Sequence, residues 1–237
     1  STKNICDAAL KNSIKEIILL SSDKAVRPTS IMGATKRVSE LIFKAYSNKN
    51  LRNDDNEKYK FSMVRFGNVL GSSGSVVPLF KKQIANGGPL TITHSEVTRY
   101  FMTIPEAAQL VLLTTELSEG GDLFLLDMGE PVKILELAKQ MINLSGNTVK
   151  NKENPNGDIE VITTGLRPGE KLYEELLIDG KSEKTIHPLI YRANEKYIEP
   201  DKLKEKLKFL DESIRHNDIK SSLKLLKELV PEWQISN

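Results

Sequence analysis

The sequence predicts an α/β fold built on a mostly parallel sheet, and three observations carry that prediction. A short continuous apolar run at 16–22, a second buried-type strand at 61–66 and the strand-like 123–126 have the length and composition of strands in such a sheet. Segments of helical periodicity alternate with them. A glycine- and serine-rich stretch, 67–75, joins one such run to a following helix, and strand–loop–helix is the grammar of a parallel sheet.

Taken in order, residues 1–12 read as a helix already under way, so the chain is expected to begin inside a domain. After the strand at 16–22 and Pro28, the capping candidates Thr29 and Ser30 precede a helix over 31–47 in which Met32, Val38, Leu41, Ile42 and Ala45 recur at helical spacing. Residues 48–60, polar and mixed in charge, read as an exposed loop before the strand at 61–66. The glycine-rich loop then leads into a helix over 77–86, and 90–93 and 99–102 are short extended segments. Pro105 suits a first helical position and opens an apolar-rich helix to about 117, followed by the strand at 123–126. From Lys133 the pattern changes to helix 133–145, loop 146–157, strand 159–164, loop 164–170 and helix 171–178. Two Lys/Glu-rich amphipathic helices, 201–213 and 217–229, follow. The whole reads as half of a nucleotide-binding sheet with a smaller capping region.

The chain has 237 residues, 39% hydrophobic and 28% charged, enough for one large domain or two modest ones and too apolar for global disorder. With 34 Lys+Arg against 32 Asp+Glu the charge is too balanced to blanket a phosphate backbone, so nucleic acid is not an expected partner. A single cysteine, Cys6, excludes an intramolecular disulfide framework and a Cys-rich metal site and fits a reducing compartment. His94, His187 and His216 show no metal-ligand spacing, so no metal is expected. The longest apolar runs fall far short of the roughly 20 residues that span a bilayer, and no membrane contact is expected from this segment.

The densest polar chemistry lies at the end of the first strand, in Ser21, Ser22, Asp23 and Lys24, with Lys36 on the next helix. Ligands of open α/β sheets bind outside the carboxyl ends of the strands. A carboxyl group beside an amine can hold each other's protonation near neutrality in a dry cleft, as paired acid/base work requires; the plain alternative is a Ser-Asp turn cap with a solvated lysine. Gly67, Gly71 and Gly74 before a helix invite a phosphate-cradle reading, but their spacing is not G-x-G-x-x-G and a flexible turn explains them equally well.

Residues 22–37, Ser-Asp-Lys-Ala-Val-Arg-Pro-Thr-Ser-Ile-Met-Gly-Ala-Thr-Lys-Arg, resemble the active-site segment of extended short-chain dehydrogenase/reductases. The resemblance is specifically to the nucleotide-sugar 4,6-dehydratases of the polysaccharide-biosynthesis family. In most of that superfamily a tyrosine stands four residues before the lysine. Here Met32 holds that place before Lys36, and a thioether cannot handle the proton that a phenol does. The longer, membrane-anchored branch that makes 4-keto-6-deoxy UDP-N-acetylglucosamine carries this Met substitution. Residues 65–78 resemble the family's loop between nicotinamide and sugar. Segments 98–102 and 165–171 resemble the two that hold the nucleotide diphosphate, with Arg99 and Arg167 as cations, since an arginine fork matches phosphate oxygens bidentately. The Val-Pro-Glu-Trp end at 230–233 is similar to the tail of the longer branch, and an amphipathic packing helix is its plainer reading.

The resemblance implies the C-terminal part of a Rossmann-like NAD-binding parallel sheet, from 1–76 and 98–130, plus a small α/β substrate-binding region from 77–97 and 131–237. It implies NAD as cofactor, held by Ser21, Lys36, Phe66 and Gly67, and a UDP-sugar held by Asn68, Ser75, Arg99, Arg167 and Glu170. The catalytic group would be Ser22, Asp23, Lys24, Met32 and Lys36. In the family reaction a hydride leaves C4 of the sugar for NAD, water is lost across C5 and C6, and the hydride returns to C6. By motif position Asp23 protonates the departing C6 hydroxyl, Lys24 removes the C5 proton, Lys36 binds the nicotinamide ribose, and Ser22 relays the proton of the C4 hydroxyl. The expected activity is NAD-dependent 4,6-dehydration of a UDP-N-acetylhexosamine, with UDP-N-acetylglucosamine as the leading substrate, for a bacterial surface polysaccharide or glycan. The alternatives are a nucleotide-sugar 4-epimerase, which needs no acid for a leaving C6 hydroxyl, and a non-catalytic binding or assembly fragment. The family's glycine-rich cofactor turn is expected upstream of Ser1, so the chain alone should bind NAD poorly. The segment itself is expected to be cytoplasmic, the complete protein to sit at the cytoplasmic face of a bacterial inner membrane, and helices 3–12 and 31–47 to pair subunits into a homo-oligomer.

Overall fold

The computed structural model describes residues 1–51, 59–178 and 181–234. In chain order the elements are α1 (Thr2–Lys11), β1 (Glu16–Leu20), α2 (Ile31–Leu51), β2 (Lys60–Arg65), β3 (Asn68–Val69), α3 (Val76–Ala85), β4 (Leu90–Ile92), β5 (Thr98–Arg99) and β6 (Phe101–Met102). They continue with α4 (Ile104–Leu117), β7 (Leu123–Leu126), β8 (Val132–Lys133), α5 (Ile134–Leu144), β9 (Val149–Lys150), β10 (Ile159–Thr163), β11 (Ser182–Lys184), β12 (Ile190–Ala193), α6 (Pro200–Arg215) and α7 (Ile219–Leu229). Two compact units result, one of Ser1–Phe66, Gln109–Asp127 and Glu175–Asn237, the other of Gly67–Ala108 and Met128–Glu174. These cuts fall at other points than the segments named from the sequence, chiefly because 175–237 folds onto the larger sheet.

That sheet has five strands in the order β1-β2-β7-β12-β11. β1, β2 and β7 are parallel, in register Leu20↔Val64 and Arg65↔Leu125, while β12 and β11 join antiparallel. β2 and β7 are buried along nearly their whole length, β7 with an unbroken apolar run and β2 in spite of Ser62 and Arg65. In β1 the end residues Glu16 and Leu20 are exposed, and among the described residues the strand pairs with β2.

One face of the sheet is covered by α1, α2, α6 and α7. α2 begins where Ser30 Oγ accepts the Gly33 N–H at 3.2 Å, and it buries Val38, Leu41, Ile42 and Ala45. Met32, on its first turn, departs from that stripe and is half exposed. The helix runs to Leu51, beyond the expected end at 47; the rest of the loop expected at 48–60, residues 52–58, lies outside the described residues. α7 is capped by Asp218, whose Oδ1 accepts the Ser221 N–H at 3.0 Å, and it delivers Leu226, Leu229, Val230 and Trp233 to the same core. Cys6 is buried there too. Burial, with the neighbouring Asp7 carboxylate, pushes its thiol up to about 12, so it is no nucleophile at neutral pH.

The helix expected over 171–178 is absent. Leu172 O, which such a helix would pair with the Leu176 N–H, instead accepts the Thr98 N–H at 3.0 Å. β11 and β12 carry too few residues for a periodic signal. β12 is specified by its partner β7, in register Ile190↔Leu126.

In the second unit β4, β10 and β9 form a parallel sheet, with α3 and α5 closing a core of Phe80, Leu90, Ile134, Ala138 and Ile142. β3 pairs with β6 and β5 with β8. No helix among the described residues is long and apolar enough to cross a membrane.

Candidate active site

The chain leaves the carboxyl end of β1 through Ser21 and Ser22 into a short 3-10 turn, Asp23–Ala25. The parallel ladder carries the backbone past the strand end, with the Ser21 N–H on Val64 O at 2.8 Å and the Asp23 N–H on Phe66 O at 3.3 Å. Ser22 caps the turn. Its Oγ accepts the Lys24 N–H at 3.3 Å and donates to Asp23 Oδ1 at 2.7 Å. Lys24 Nζ lies 2.9 Å from that same oxygen, with 35% of its side chain exposed, whereas the Asp23 side chain is completely buried. Asp23 Oδ2 has no hydrogen-bond partner. A buried carboxyl oxygen left open is costly unless a proton or a bound group completes it.

Tight packing fixes the turn. A Cβ on Gly33 would lie 2.3 Å from Lys24 O and 2.9 Å from Pro28 Cβ, so the first turn of α2 rests directly on the backbone of 24–28. Alanine is worth up to about 1 kcal/mol over glycine inside a helix, but here the obstacle is backbone that cannot rotate aside. Gly33→Ala is therefore expected to destabilise by about 1–3 kcal/mol and to displace Lys24. Urea unfolding measures the first effect, and an unchanged midpoint would show that the turn yields freely.

Met32 and Lys36 stand one turn apart on α2, both exposed. Lys36 Nζ has no hydrogen-bond or ion-pair partner among the described residues. An unpartnered ammonium on the helix packed against this turn suits a ribose diol, and on that observation the residues present fit the nicotinamide end of NAD. Phe66 is half-buried at the end of β2, its carbonyl taken by Asp23. Ser21 is buried, and its hydroxyl donates inward to Glu40 at 2.6 Å.

Glu40 belongs to a buried charge cluster that the sequence reading did not anticipate. Arg65, fully buried, makes bidentate contacts to Glu40 (2.7 and 2.7 Å) and to Glu195 (2.7 and 2.9 Å). Arg37 lies 2.9 Å from Glu40, from Glu195 and from Glu232. Burial alone would raise the Glu40 carboxyl, but the two arginines and Ser21 outweigh it and hold it below the ordinary glutamate range. Arg65 is held above the usual guanidinium range, its carboxylate partners outweighing desolvation. The available signal was Arg65 itself, a charge inside an otherwise apolar strand.

The remaining candidates lie in the second unit. Gly67 packs under Tyr100, where a Cβ would meet the Tyr100 side chain at 3.0 Å, and Asn68 pairs with Phe101. Gly71 and Gly74 have left-handed backbone with open space around them, as a turn requires. Ser75 stands at the N-terminus of α3, but its Oγ makes no capping bond and is buried without a hydrogen-bond partner. Arg99 is held by Thr98 O at 2.7 Å, Leu172 O at 3.3 Å and Glu170 at 3.2 Å. Glu170 spends both oxygens structurally, Oε1 on the Thr93 hydroxyl at 2.8 Å and on Arg99, and Oε2 on the Arg167 N–H at 3.2 Å. The Arg167 guanidinium is exposed and has no partner among the described residues. No group of three His, Cys, Asp or Glu side chains able to hold a metal occurs among the described residues.

The family described as polysaccharide biosynthesis protein matches residues 1–195. The chain is 54% identical over 187 residues to the capsular polysaccharide biosynthesis protein CapD of Staphylococcus aureus, covering 79% of this chain and 28% of that one. It is 36% identical over 184 residues to a UDP-N-acetylglucosamine 4,6-dehydratase (inverting) of Campylobacter jejuni, covering 77% and 49%. The X-ray structure of Pen from Bacillus thuringiensis is similar at 30% identity with a TM-score of 0.70, over 83% of this chain and 58% of that one. UDP-glucose 4-epimerases of Rickettsia also match, and dTDP-glucose 4,6-dehydratases solved with NAD share the fold at 17% identity. The chain thus spans about half, or less, of the length of these curated relatives.

Proposed function

This chain belongs to the polysaccharide biosynthesis protein family, and we propose that it carries the catalytic segment of a 4,6-dehydratase acting on a UDP-N-acetylhexosamine, UDP-N-acetylglucosamine foremost. Its similarity to CapD and to the Campylobacter dehydratase supports the coarser reading, an enzyme that modifies nucleotide sugars for polysaccharide synthesis. One observation carries the finer reading: a fully buried Asp23 with one oxygen shared by Ser22 and Lys24 and the other open. An epimerase has no use for an acid at C6, and a solvated turn cap would not bury its carboxyl.

NAD, when bound, supplies the redox chemistry, taking the C4 hydride and returning it to C6. Lys36 would bind the nicotinamide ribose, with Phe66 and Gly67 at the same end by motif and Ser21 beside them, its hydroxyl held by Glu40, and the Lys36 charge would favour loss of the C4 hydroxyl proton. Met32 moves no proton; Ser22, which also holds Asp23 at 2.7 Å, relays that proton to solvent. Asp23 in its acid form protonates the departing C6 oxygen while Lys24 in its amine form takes the C5 proton made acidic by the C4 ketone. Lys24, 2.9 Å from Asp23, returns its proton to C5 as the hydride comes back to C6, and Asp23 regains its own from solvent. Arg167 and Arg99 meet the diphosphate by motif, with Asn68 and Ser75 as further sugar-nucleotide contacts and Glu170 holding Arg99 at 3.2 Å.

Proton NMR of UDP-N-acetylglucosamine with NAD and the complete gene product tests this reading. A new C6 methyl doublet is expected. A C4 epimer without a methyl signal would establish the epimerase instead, and unchanged sugar despite bound UDP would favour a binding fragment.

A further inference from the structure

We propose that residues 230–234, the C-terminal segment beyond α7, are a positioning element for the Asp23, Lys24 and Lys36 site. The inference rests on the reading of that site as catalytic. The segment lies outside residues 1–195, the part matched by the family.

Two contacts reach the site. The Gln234 N–H donates to Pro28 O at 2.8 Å, and Glu232 Oε1 accepts from Arg37 Nε at 2.9 Å. Pro28 ends the stretch whose other side is pressed against Gly33, so 24–28 is held between the first turn of α2 and this segment. Arg37 is the neighbour of Lys36, and its guanidinium also reaches Glu40, which takes the Ser21 hydroxyl. The segment is itself anchored. Val230 and Trp233 are buried, and Lys227 Nζ donates to Pro231 O at 3.0 Å and to Trp233 O. A carbonyl four residues from Lys24 and a guanidinium one residue from Lys36 are thus tied to a single rigid tail.

Deleting the tail would expose the core, so the test uses two local changes in the complete gene product. Gln234→Pro removes the N–H, and Glu232→Gln removes the carboxylate charge that faces Arg37. Together they are expected to lower kcat about 10- to 100-fold, the size of effect that a small misplacement of catalytic groups produces, with KM for the UDP-sugar changed less than about twofold. Gln234→Ala, which keeps the N–H, restores the loss caused by Gln234→Pro. Amide hydrogen exchange over 24–33 is expected to quicken in the Pro variant while the urea midpoint stays near the parent's. Unchanged kcat with unchanged exchange over 24–33 would overturn the proposal. Should the parent turn over no UDP-sugar, the dehydratase reading fails, and the exchange at 24–33 alone decides whether the tail holds the turn.

Discussion

Asp23→Asn is expected to stop dehydration almost completely, lowering turnover by about 100- to 10,000-fold, the usual contribution of a placed acid or base. Asparagine has nearly the same shape and keeps an acceptor for Ser22, so the turn should persist. What it loses is the acid proton, and with it the carboxylate that Lys24 meets at 2.9 Å. Oxidation at C4 needs neither, so the variant should still reduce NAD in the presence of substrate. The near-ultraviolet absorbance of the reduced nicotinamide would build up while no methyl doublet forms. A variant that makes the methyl product at the parental rate would show that some other group protonates the C6 oxygen, and would remove the observation that favours a dehydratase over an epimerase.

The largest stability effect is expected at Arg65. Arg65→Met replaces a fully buried guanidinium with an apolar chain and leaves Glu40 and Glu195 with Arg37 as their cation. Breaking a buried pair from one side costs about 3–5 kcal/mol, a large share of a typical domain's total stability. The pH dependence has a defined sign. In the parent, Glu40 is held below its unfolded value, so its ionisation stabilises the fold above that value, and the contribution is lost as pH falls through the folded value. In the variant the buried Glu40 has lost its principal cation, so protonation relieves it and the deficit against the parent narrows on acidification. Urea unfolding at neutral and mildly acidic pH measures both. Glu40→Gln in the Arg65→Met background should recover part of the loss, because the two residues share one interaction. A deficit that stays constant with pH would show that Glu40 is not the group left uncompensated.

The residues that define the candidate site are local in sequence where the chemistry is local. Ser22, Asp23 and Lys24 are consecutive and end a strand; Met32 and Lys36 sit a helical turn apart. Reading them together needs only the order of elements and the i,i+4 rule. Glu170 stands differently. Its place beside Arg167 marks it as a substrate contact by motif, whereas its oxygens are taken by Thr93, Arg99 and the Arg167 N–H. Ser21 reads as a cofactor contact beside Ser22, yet its hydroxyl donates to Glu40, nineteen residues on. Each involves a partner distant in sequence, and nothing in the pattern of either segment names that partner.

By itself the sequence determined the alternation of strands and helices, the buried stripe of α2 apart from Met32, its cap to within Thr29 or Ser30, and the run from Ser22 to Lys36, because these follow from periodicity, capping and adjacency along the chain. Only the tertiary structure decided that the Leu172 carbonyl serves the Thr98 N–H rather than a helix over 171–178, that β12 and β11 extend the sheet, and that Glu40, Arg65, Arg37, Glu195 and Glu232 form one cluster. The physical reason is common to all of them. A buried backbone or charged group must be satisfied by whichever partner the fold brings within reach, and that partner is set by packing between distant segments rather than by the residues on either side.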